Sequence, residues 1–267
     1  MRLAIILGPY RNLSTLVAAT LSLRRDCLVL NHAADRLLAD PKLDFFTRVN
    51  AETLAHFMDA AREASREGTR GDFGGSILHS HAFGDPALKA LYVQRFGEGG
   101  LKPYAQCLVW KDSMRVQNRL MADCNLFDRL CSAFPDLRFL LPMREVLDCA
   151  QSNLSTGYIK HLGGKRGISI NTALDRVLDA FVWALEQREK HAHRIFVLTQ
   201  GDDPQAAFSA LGEFLGLNPD EAWLNDASRV FKVKSGAEHD DSARLYARDT
   251  ARARLARWPD ILKRLGY

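Results

Sequence analysis

The stretch LAIILGPYRNLSTLV, residues 3–17, sets the first expectation for the fold. Its first five residues are apolar, as in a strand that is buried on both faces of a parallel sheet. A turn follows from Gly8, and Ser14 and Thr15 stand where a helix begins. The stretch therefore predicts a strand, a turn and a helix whose N-terminus offers hydroxyls and amide groups to an anion. Arg11 adds a positive charge to this turn.

The same turn matches only part of the nucleotide-triphosphate loop GxxxxGK[ST]. Gly8 and Thr15 have the right spacing, but Leu13 replaces the second glycine and Ser14 replaces the lysine. Without that lysine, binding of β- and γ-phosphates is poorly supported. Two interpretations remain open at this point: an anion site of another kind, and a plain β–α turn with Ser14 and Thr15 as helix caps.

Four more short apolar runs extend this first unit into a fold. Together with residues 3–7 they predict strands at residues 27–30, 107–110, 138–143 and 194–198. Helical patterns lie between them, at residues 50–68 with Asn50 as N-cap, near 171–185 with Asn171 or Thr172 as caps, and at 204–215. This alternation predicts an α/β domain with a doubly wound parallel sheet. Ligands of such sheets bind outside the carboxyl ends of the strands.

The composition is that of a globular protein. The chain has 267 residues, of which 47% are hydrophobic and 25% charged, which excludes disordered, collagenous and coiled-coil chains. We find no repeat and no linker, and expect one domain over residues 1–267. No apolar run approaches the roughly 20 residues that cross a bilayer, and the short N-terminal run is interpreted as a strand and not as a signal peptide.

Cysteine content and charge narrow the function classes further. The five cysteines form no CxxC pair, so neither a disulfide framework nor a zinc site is predicted, and a cytoplasmic protein is expected. The net charge of +4 does not call for nucleic acid as a partner but suits an anionic ligand.

A second informative stretch is FPDLRFLLPMREVLDCAQS, residues 134–152. Arg144 stands at the end of the predicted strand, and Ser152 lies two turns along the helix that follows. Both side chains can bind one phosphate, Arg144 through a bidentate fork and Ser152 through its hydroxyl. The alternative is an arginine that simply pairs with Glu145 or Asp148.

Together these two stretches resemble the sulfotransferases that use 3′-phosphoadenosine-5′-phosphosulfate (PAPS). Their first loop, GxxRSGTTLL, aligns without gaps on residues 8–17, and their second motif, FPDAxFIxLxRDPxDxxxS, aligns without gaps on residues 134–152. Between them, Lys111 and Asp112 resemble the Lys-Asp-Pro segment of the tyrosylprotein and carbohydrate branches. The departures are Leu13 for a loop glycine, Val146 for the proline and Gln200 for a glutamate.

The resemblance implies a P-loop-like, three-layer α/β fold with a central, mostly parallel sheet. It implies PAPS as cosubstrate, 3′-phosphoadenosine-5′-phosphate (PAP) as product, no metal, and a hydroxyl acceptor on a carbohydrate, small metabolite or lipid-linked molecule. Lys111 and Arg11 correspond to the cations beside the transferring group. The residues that correspond to the nucleotide-binding positions are Arg11, Asn12, Leu13, Ser14, Thr15, Arg144 and Ser152. Residues 231–234 loosely resemble a late basic segment that reaches the nucleotide.

Sulfuryl transfer also needs a base to deprotonate the acceptor, and histidine suits neutral pH. His32 ends the second predicted strand and is our first candidate, with His81 next and His79 as a further rival. His79 and His81 form an HxH pair, but no third ligand with suitable spacing accompanies them, so no metal site is predicted. Two other functions remain open: a P-loop kinase that uses ATP, and a non-catalytic module that binds PAP or PAPS.

Overall fold

The computed structural model describes residues 1–66, 74–98, 100, 102–165, 167–233 and 239–267. Gly68, the predicted end of one helix, and Lys234 of the late basic segment lie outside these residues. The strands of the described part are β1 (Arg2–Ile6), β2 (Cys27–Asn31), β3 (Gly75–Ser76), β4 (Cys107–Lys111), β5 (Arg138–Met143) and β6 (Ile195–Thr199). They form one sheet in the order β3-β2-β4-β1-β5-β6, in which β3 is antiparallel to β2 and the other described neighbours are parallel.

The helices of the described part lie between and after these strands. They are α1 (Ser14–Ser22), α2 (Ala34–Leu37), α3 (Ala51–Ala64), α4 (Pro86–Phe96), α5 (Met114–Ala122), α6 (Leu126–Ala133), α7 (Val146–Ser155), α8 (Ile170–Lys190), α9 (Pro204–Phe214), α10 (Glu221–Val230), α11 (Asp241–Arg254) and α12 (Pro259–Arg264). Short 3₁₀ segments occur at Ile77–His79, His81–Gly84, Tyr158–Leu162 and Ala192–Arg194. In the described part, no helix is both long enough and apolar enough to span a membrane.

The helices cover both faces of the sheet because successive side chains of each strand point to opposite sides. In β1, Leu3 and Ile5 pack into one core, with helices α3, α5–α8, α11 and α12. Ala4 and Ile6 pack into the other core, with helices α1, α4, α9 and α10. This arrangement confirms the predicted three-layer α/β fold with a mostly parallel central sheet.

The individual elements agree with the sequence predictions to different extents. The predicted strands are present with ends shifted by at most one residue, and Asn50 caps α3 by accepting a hydrogen bond from the Thr53 amide. The predicted caps of α8 are wrong. Ser169 is the N-cap, because its side chain accepts a hydrogen bond from the Thr172 amide.

The order of the strands decides where the functional groups lie. Strands β2, β4, β1 and β5 are consecutive neighbours, and all of them are parallel. Their carboxyl ends therefore meet at one edge of the sheet, and this edge carries the residues that follow each strand: His32, Asp112, the loop from Leu7 to Leu13, and Arg144.

Candidate active site

A cavity of about 1300 Å³ opens at this edge of the sheet. It extends between the N-terminal half of α4 and the end of α10. Most of the predicted site residues line it: Arg11, Leu13, Ser14, Thr15, His32, His81, Lys111 and Arg144. Asn12, Ser152 and His79 do not line it. The structure thus gathers predicted site residues from five separate stretches of the sequence around one cavity.

The loop after β1 has an unusual backbone. Gly8, Arg11 and Leu13 all have positive φ angles, of 98°, 65° and 74°. Gly8 is required here, because a Cβ atom at this position would lie 2.1 Å from the Asn12 side-chain nitrogen. Leu13 occupies the left-handed conformation that favours glycine, at the point where the resemblance expects a glycine. The loop therefore has the conformation of a glycine-containing turn, although residue 13 is a leucine.

Asn12 explains how the loop is held. Its side chain is fully buried, and Nδ2 donates hydrogen bonds to the carbonyl oxygens of Leu7 (2.9 Å) and Pro142 (3.0 Å). Its Oδ1 accepts a hydrogen bond from the Ser14 amide at 3.2 Å. The side chain of Asn12 therefore fastens the loop to β1 and β5 and faces away from the cavity.

The first residues of α1, which follow this loop, line the cavity. Leu13 is the N-cap and supplies no side-chain acceptor. The first helical hydrogen bond runs from the Val17 amide to the Leu13 carbonyl, so the amides of Thr15 and Leu16 have no acceptor within the helix. Such amides, with the positive end of the helix dipole, bind anions.

A direct contact joins the two sequence motifs. Arg11 Nε donates a hydrogen bond to Ser152 Oγ at 2.8 Å, across 141 residues of sequence. Arg144 lies beside them, with Nη2 3.3 Å from Asp148 Oδ2. The ion pair between Arg144 and Asp148 is therefore real, yet Arg144 still lines the cavity, and its Nε is buried without a hydrogen-bond partner among the described residues.

His32 lies between an anion and a cation. Its Nδ1 is 3.1 Å from Asp112 Oδ1, and its Nε2 is 3.0 Å from Lys111 Nζ. Asp112 is fully buried, and its other oxygen accepts a hydrogen bond from the Ala34 amide at 2.9 Å. This network assigns the tautomer: Nδ1–H donates to the carboxylate, and Nε2 accepts from the ammonium group.

Burial lowers the pKa values of both His32 and Lys111. Desolvation lowers the pKa of His32, and the hydrogen bond to Asp112 opposes that shift. Desolvation also lowers the pKa of Lys111 to about 8, with Asp112 opposing the shift and Arg11 adding to it. At neutral pH the site therefore holds a neutral imidazole next to an ammonium group that loses its proton more readily than an exposed lysine does.

Of the two rival histidines, His81 belongs to this site. It is exposed to the cavity, and partial desolvation together with the charges of Arg11, Lys111 and His32 lowers its pKa to about 4. His79 lies on the preceding 3₁₀ segment and does not line the cavity.

Sequence reasoning missed an aromatic group beside His32. The ring of Tyr10 lies 6.4 Å from the His32 ring, 5.0 Å from Tyr158 and 5.1 Å from His161. Tyr10 and Tyr158 also line the cavity. Tyr10 could have been found from its place in the loop, whereas nothing in the sequence near Tyr158 points to the site.

The likeness of this chain to known proteins is found in its structure. No protein-family model matches the sequence, and a search of curated proteins finds no significant relative. Among solved structures, the chain is similar to sulfotransferase STF9 from Mycobacterium avium, with a TM-score of 0.49 and 13% identity over 97% of this chain and 76% of that one.

Two further solved structures are similar over nearly the whole of both chains. A sulfotransferase from Alicyclobacillus acidocaldarius has a TM-score of 0.44 and 14% identity, covering 97% of this chain and 95% of that one. The sulfotransferase domain of the Synechococcus olefin synthase has a TM-score of 0.43 and 14% identity, covering 94% of each chain.

Proposed function

We propose that this protein transfers a sulfuryl group from PAPS to a hydroxyl acceptor. The observation that carries this proposal is the arrangement of Lys111, His32 and Arg11 in one cavity, with Lys111 Nζ bound to His32 Nε2 at 3.0 Å. A base and two cations beside an anion-binding loop are the groups that this chemistry requires, because the protein must take a proton from the acceptor and stabilise charge on the leaving oxygens.

The cavity offers suitable partners for each part of the donor. In the proposed complex, the amides of Thr15 and Leu16 and the hydroxyls of Ser14 and Thr15 bind the 5′-phosphosulfate. Arg144, which lines the cavity, and Ser152, which contacts the cavity-lining Arg11, bind the 3′-phosphate. The Ser152 oxygen already accepts a hydrogen bond from Arg11, which leaves its hydroxyl hydrogen free to donate to the phosphate. Apolar side chains for the adenine lie nearby: Leu16, Val230 and Val233.

The reaction needs one proton transfer and one substitution at sulfur. The acceptor oxygen forms a bond to sulfur as its proton passes to His32 Nε2, the bond between sulfur and the 5′-phosphate oxygen breaks, and PAP is left. For this step Lys111 must release Nε2 and turn its ammonium group to the departing oxygen. Asp112 keeps the imidazole in the required tautomer and stabilises the imidazolium that forms.

A kinase that uses ATP and magnesium is less well supported. Ser14 occupies the position of the loop lysine. Asp112, the carboxylate that follows β4, is fully buried and engaged by His32 and the Ala34 amide, so it is not placed to hold a magnesium ion.

The proposal is tested by nucleotide titration and by a transfer assay. We expect PAP to bind in calorimetry and to stabilise the protein thermally, and labelled PAPS to give sulfated product with at least one member of a hydroxyl acceptor panel. Stabilisation by ATP with magnesium but not by PAP would show the proposal to be wrong. Binding of PAP with no product across the panel would instead identify a non-catalytic module.

A further inference from the structure

The carboxylate of Asp148 is shared between two partners on different elements. Its Oδ2 lies 3.3 Å from Arg144 Nη2, and its Oδ1 lies 2.9 Å from His239 Nε2. The three side chains are largely buried, with exposures of 16% for Arg144, 10% for Asp148 and 11% for His239. His239 directly precedes Asp240, the N-cap of α11, so a distant part of the chain contacts the carboxylate that pairs with the arginine after β5.

The contact between Asp148 and His239 affects how Asp148 pairs with Arg144. A free carboxylate and a guanidinium group prefer a bidentate contact, which would use two of the arginine N–H groups. Here the second oxygen of Asp148 lies 2.9 Å from His239 Nε2, and among the described residues the contact of Arg144 with this carboxylate is the single one from Nη2. The buried Nε of Arg144 has no hydrogen-bond partner among the described residues, so its N–H group is left for a ligand anion to satisfy.

With Glu145 in place of Arg144, the cluster around Asp148 also has the residue types of a metal site, but it does not suggest one. Glu145, Asp148 and His239 offer ligand atoms within 4.8 Å of one another, a spacing that a cation could use. However, the Glu145 oxygens accept hydrogen bonds from the amides of Leu147 and Asp148 and from the Tyr267 hydroxyl. With both Asp148 oxygens engaged as well, the carboxylates of this cluster are already satisfied by protein donors.

We propose that His239 is a positioning residue for the anion site at Arg144, acting through Asp148. By holding one carboxylate oxygen, it keeps Asp148 from closing on Arg144 and so keeps the guanidinium group open to the 3′-phosphate of the nucleotide. This inference rests on the proposed function, since it assigns the phosphate to Arg144. It adds that selectivity for a 3′-phosphorylated nucleotide depends on a residue that does not touch it.

The test compares two nucleotides that differ only in the 3′-phosphate, PAP and adenosine 5′-phosphate, in calorimetric or competition titrations. His239→Ala is expected to weaken the binding of PAP on the order of 10-fold, the effect of one hydrogen bond to a charged group. The affinity for adenosine 5′-phosphate should be unchanged. His239→Gln should retain most of the wild-type affinity, because the Gln amide can place an N–H group where Nε2 stands. His239→Asn, which is too short to do so, should behave as the alanine variant does.

A matched control separates positioning from general stability. His191 makes the same kind of pair, with Nε2 2.7 Å from Asp128 Oδ1, near the start of β6 and so at the opposite edge of the sheet. His191→Ala should leave the PAP affinity unchanged. Equal losses for both nucleotides, or an unchanged affinity ratio in His239→Ala and His239→Asn, would overturn the inference while the proposed function stands. Failure of the wild-type protein to bind PAP would overturn both.

Discussion

His32 holds a backbone conformation that residues other than glycine rarely adopt, with a φ angle of 61°. Two hydrogen bonds fix it there: its amide donates to the Lys111 carbonyl at 2.8 Å, and Trp110 Nε1 donates to its carbonyl oxygen at 2.6 Å. Strained residues of this kind persist where the surrounding structure holds them, and they concentrate at functional sites. In this conformation the imidazole of His32 lies between Lys111 and Asp112.

If His32 is the base, its replacement should affect turnover and not nucleotide binding. We expect His32→Gln to lower kcat by roughly 10²–10⁴-fold, with the PAP dissociation constant nearly unchanged and the acidic limb of the pH–rate profile lost. Transfer rates measured over a pH range give kcat and the acidic limb, and a PAP titration gives the dissociation constant. An acidic limb retained in this variant would assign the role to His81, the other histidine that lines the cavity, and loss of PAP binding would mark His32 as structural.

We assign the alkaline limb of the expected pH–rate profile to Lys111. The proposed reaction needs a neutral His32 and a protonated Lys111, and burial lowers the pKa of Lys111 to about 8. Activity should therefore fall as the pH rises through about 8, because the ammonium group loses its proton there. Lys111→Met should reduce kcat by roughly 10²–10³-fold and remove this limb. An alkaline limb of unchanged position in the variant would exclude Lys111 as its source.

Arg144 and Ser152 should contribute unequally to nucleotide affinity. Arg144→Ala removes a charge-assisted hydrogen bond and should cost about 1.5–3 kcal/mol of PAP binding, whereas Ser152→Ala removes a neutral donor and should cost about 0.5–1.5 kcal/mol. Adenosine 5′-phosphosulfate, which lacks the 3′-phosphate, should be largely insensitive to both changes. Calorimetry with both nucleotides checks this, and equal losses would mean that the two residues only support the fold.

At the scale of elements, the loop between β1 and α1 depends on its first glycine. Gly8→Ala places a methyl group against the Asn12 side chain at a φ angle of 98°, so we expect a loss of stability of about 1–3 kcal/mol and weaker PAP binding. Gly84→Ala is the control, because Gly84 lines the cavity but a Cβ atom there meets no atom within 4 Å. Thermal or urea unfolding measures the difference, and equal stability of the two variants would contradict this account of the loop.

Most elements were predictable because each carries its own signal. The long strands are short apolar runs that lie between helical patterns, and Asn50 precedes an apolar helical face in the usual way for a cap. Strand β3 was missed because two residues, Gly75 and Ser76, form no pattern. The cap of α8 was misplaced because the apolar Ile170 separates Ser169 from the polar residues that follow.

The sequence predicts which residues form the site better than it predicts the contacts between their side chains. Parallel strands bring their carboxyl ends together, so His32, Lys111 and Arg144 could be assigned to one edge from the sequence alone. The pair of Arg11 with Ser152 spans 141 residues, and the pair of Asp148 with His239 spans 91. Contacts over such separations depend on how helices pack on the sheet, which no local pattern records.

For the molecule as a whole, charge should govern the capture of the nucleotide. The chain carries a net charge of +4, and the cavity is lined by cations from four segments: Arg11, Lys111, Arg144, Arg229 and Lys232. Added salt should therefore weaken binding of PAP, which carries two phosphates, and leave binding of uncharged adenosine nearly unchanged. Titrations at low and high ionic strength compare the two ligands, and parallel losses would contradict an electrostatic contribution.

The buried side chain of Asn12 affects the free energy of ligand binding. Its bonds to the carbonyl oxygens of Leu7 and Pro142 hold the loop in shape within the protein itself, before any ligand arrives. A loop that is already ordered gives up little conformational entropy when a ligand enters, so more of the contact energy remains as affinity. The proposed anion pocket is thus formed in advance of binding, and we expect any slow rearrangement during turnover to come from elements other than this loop.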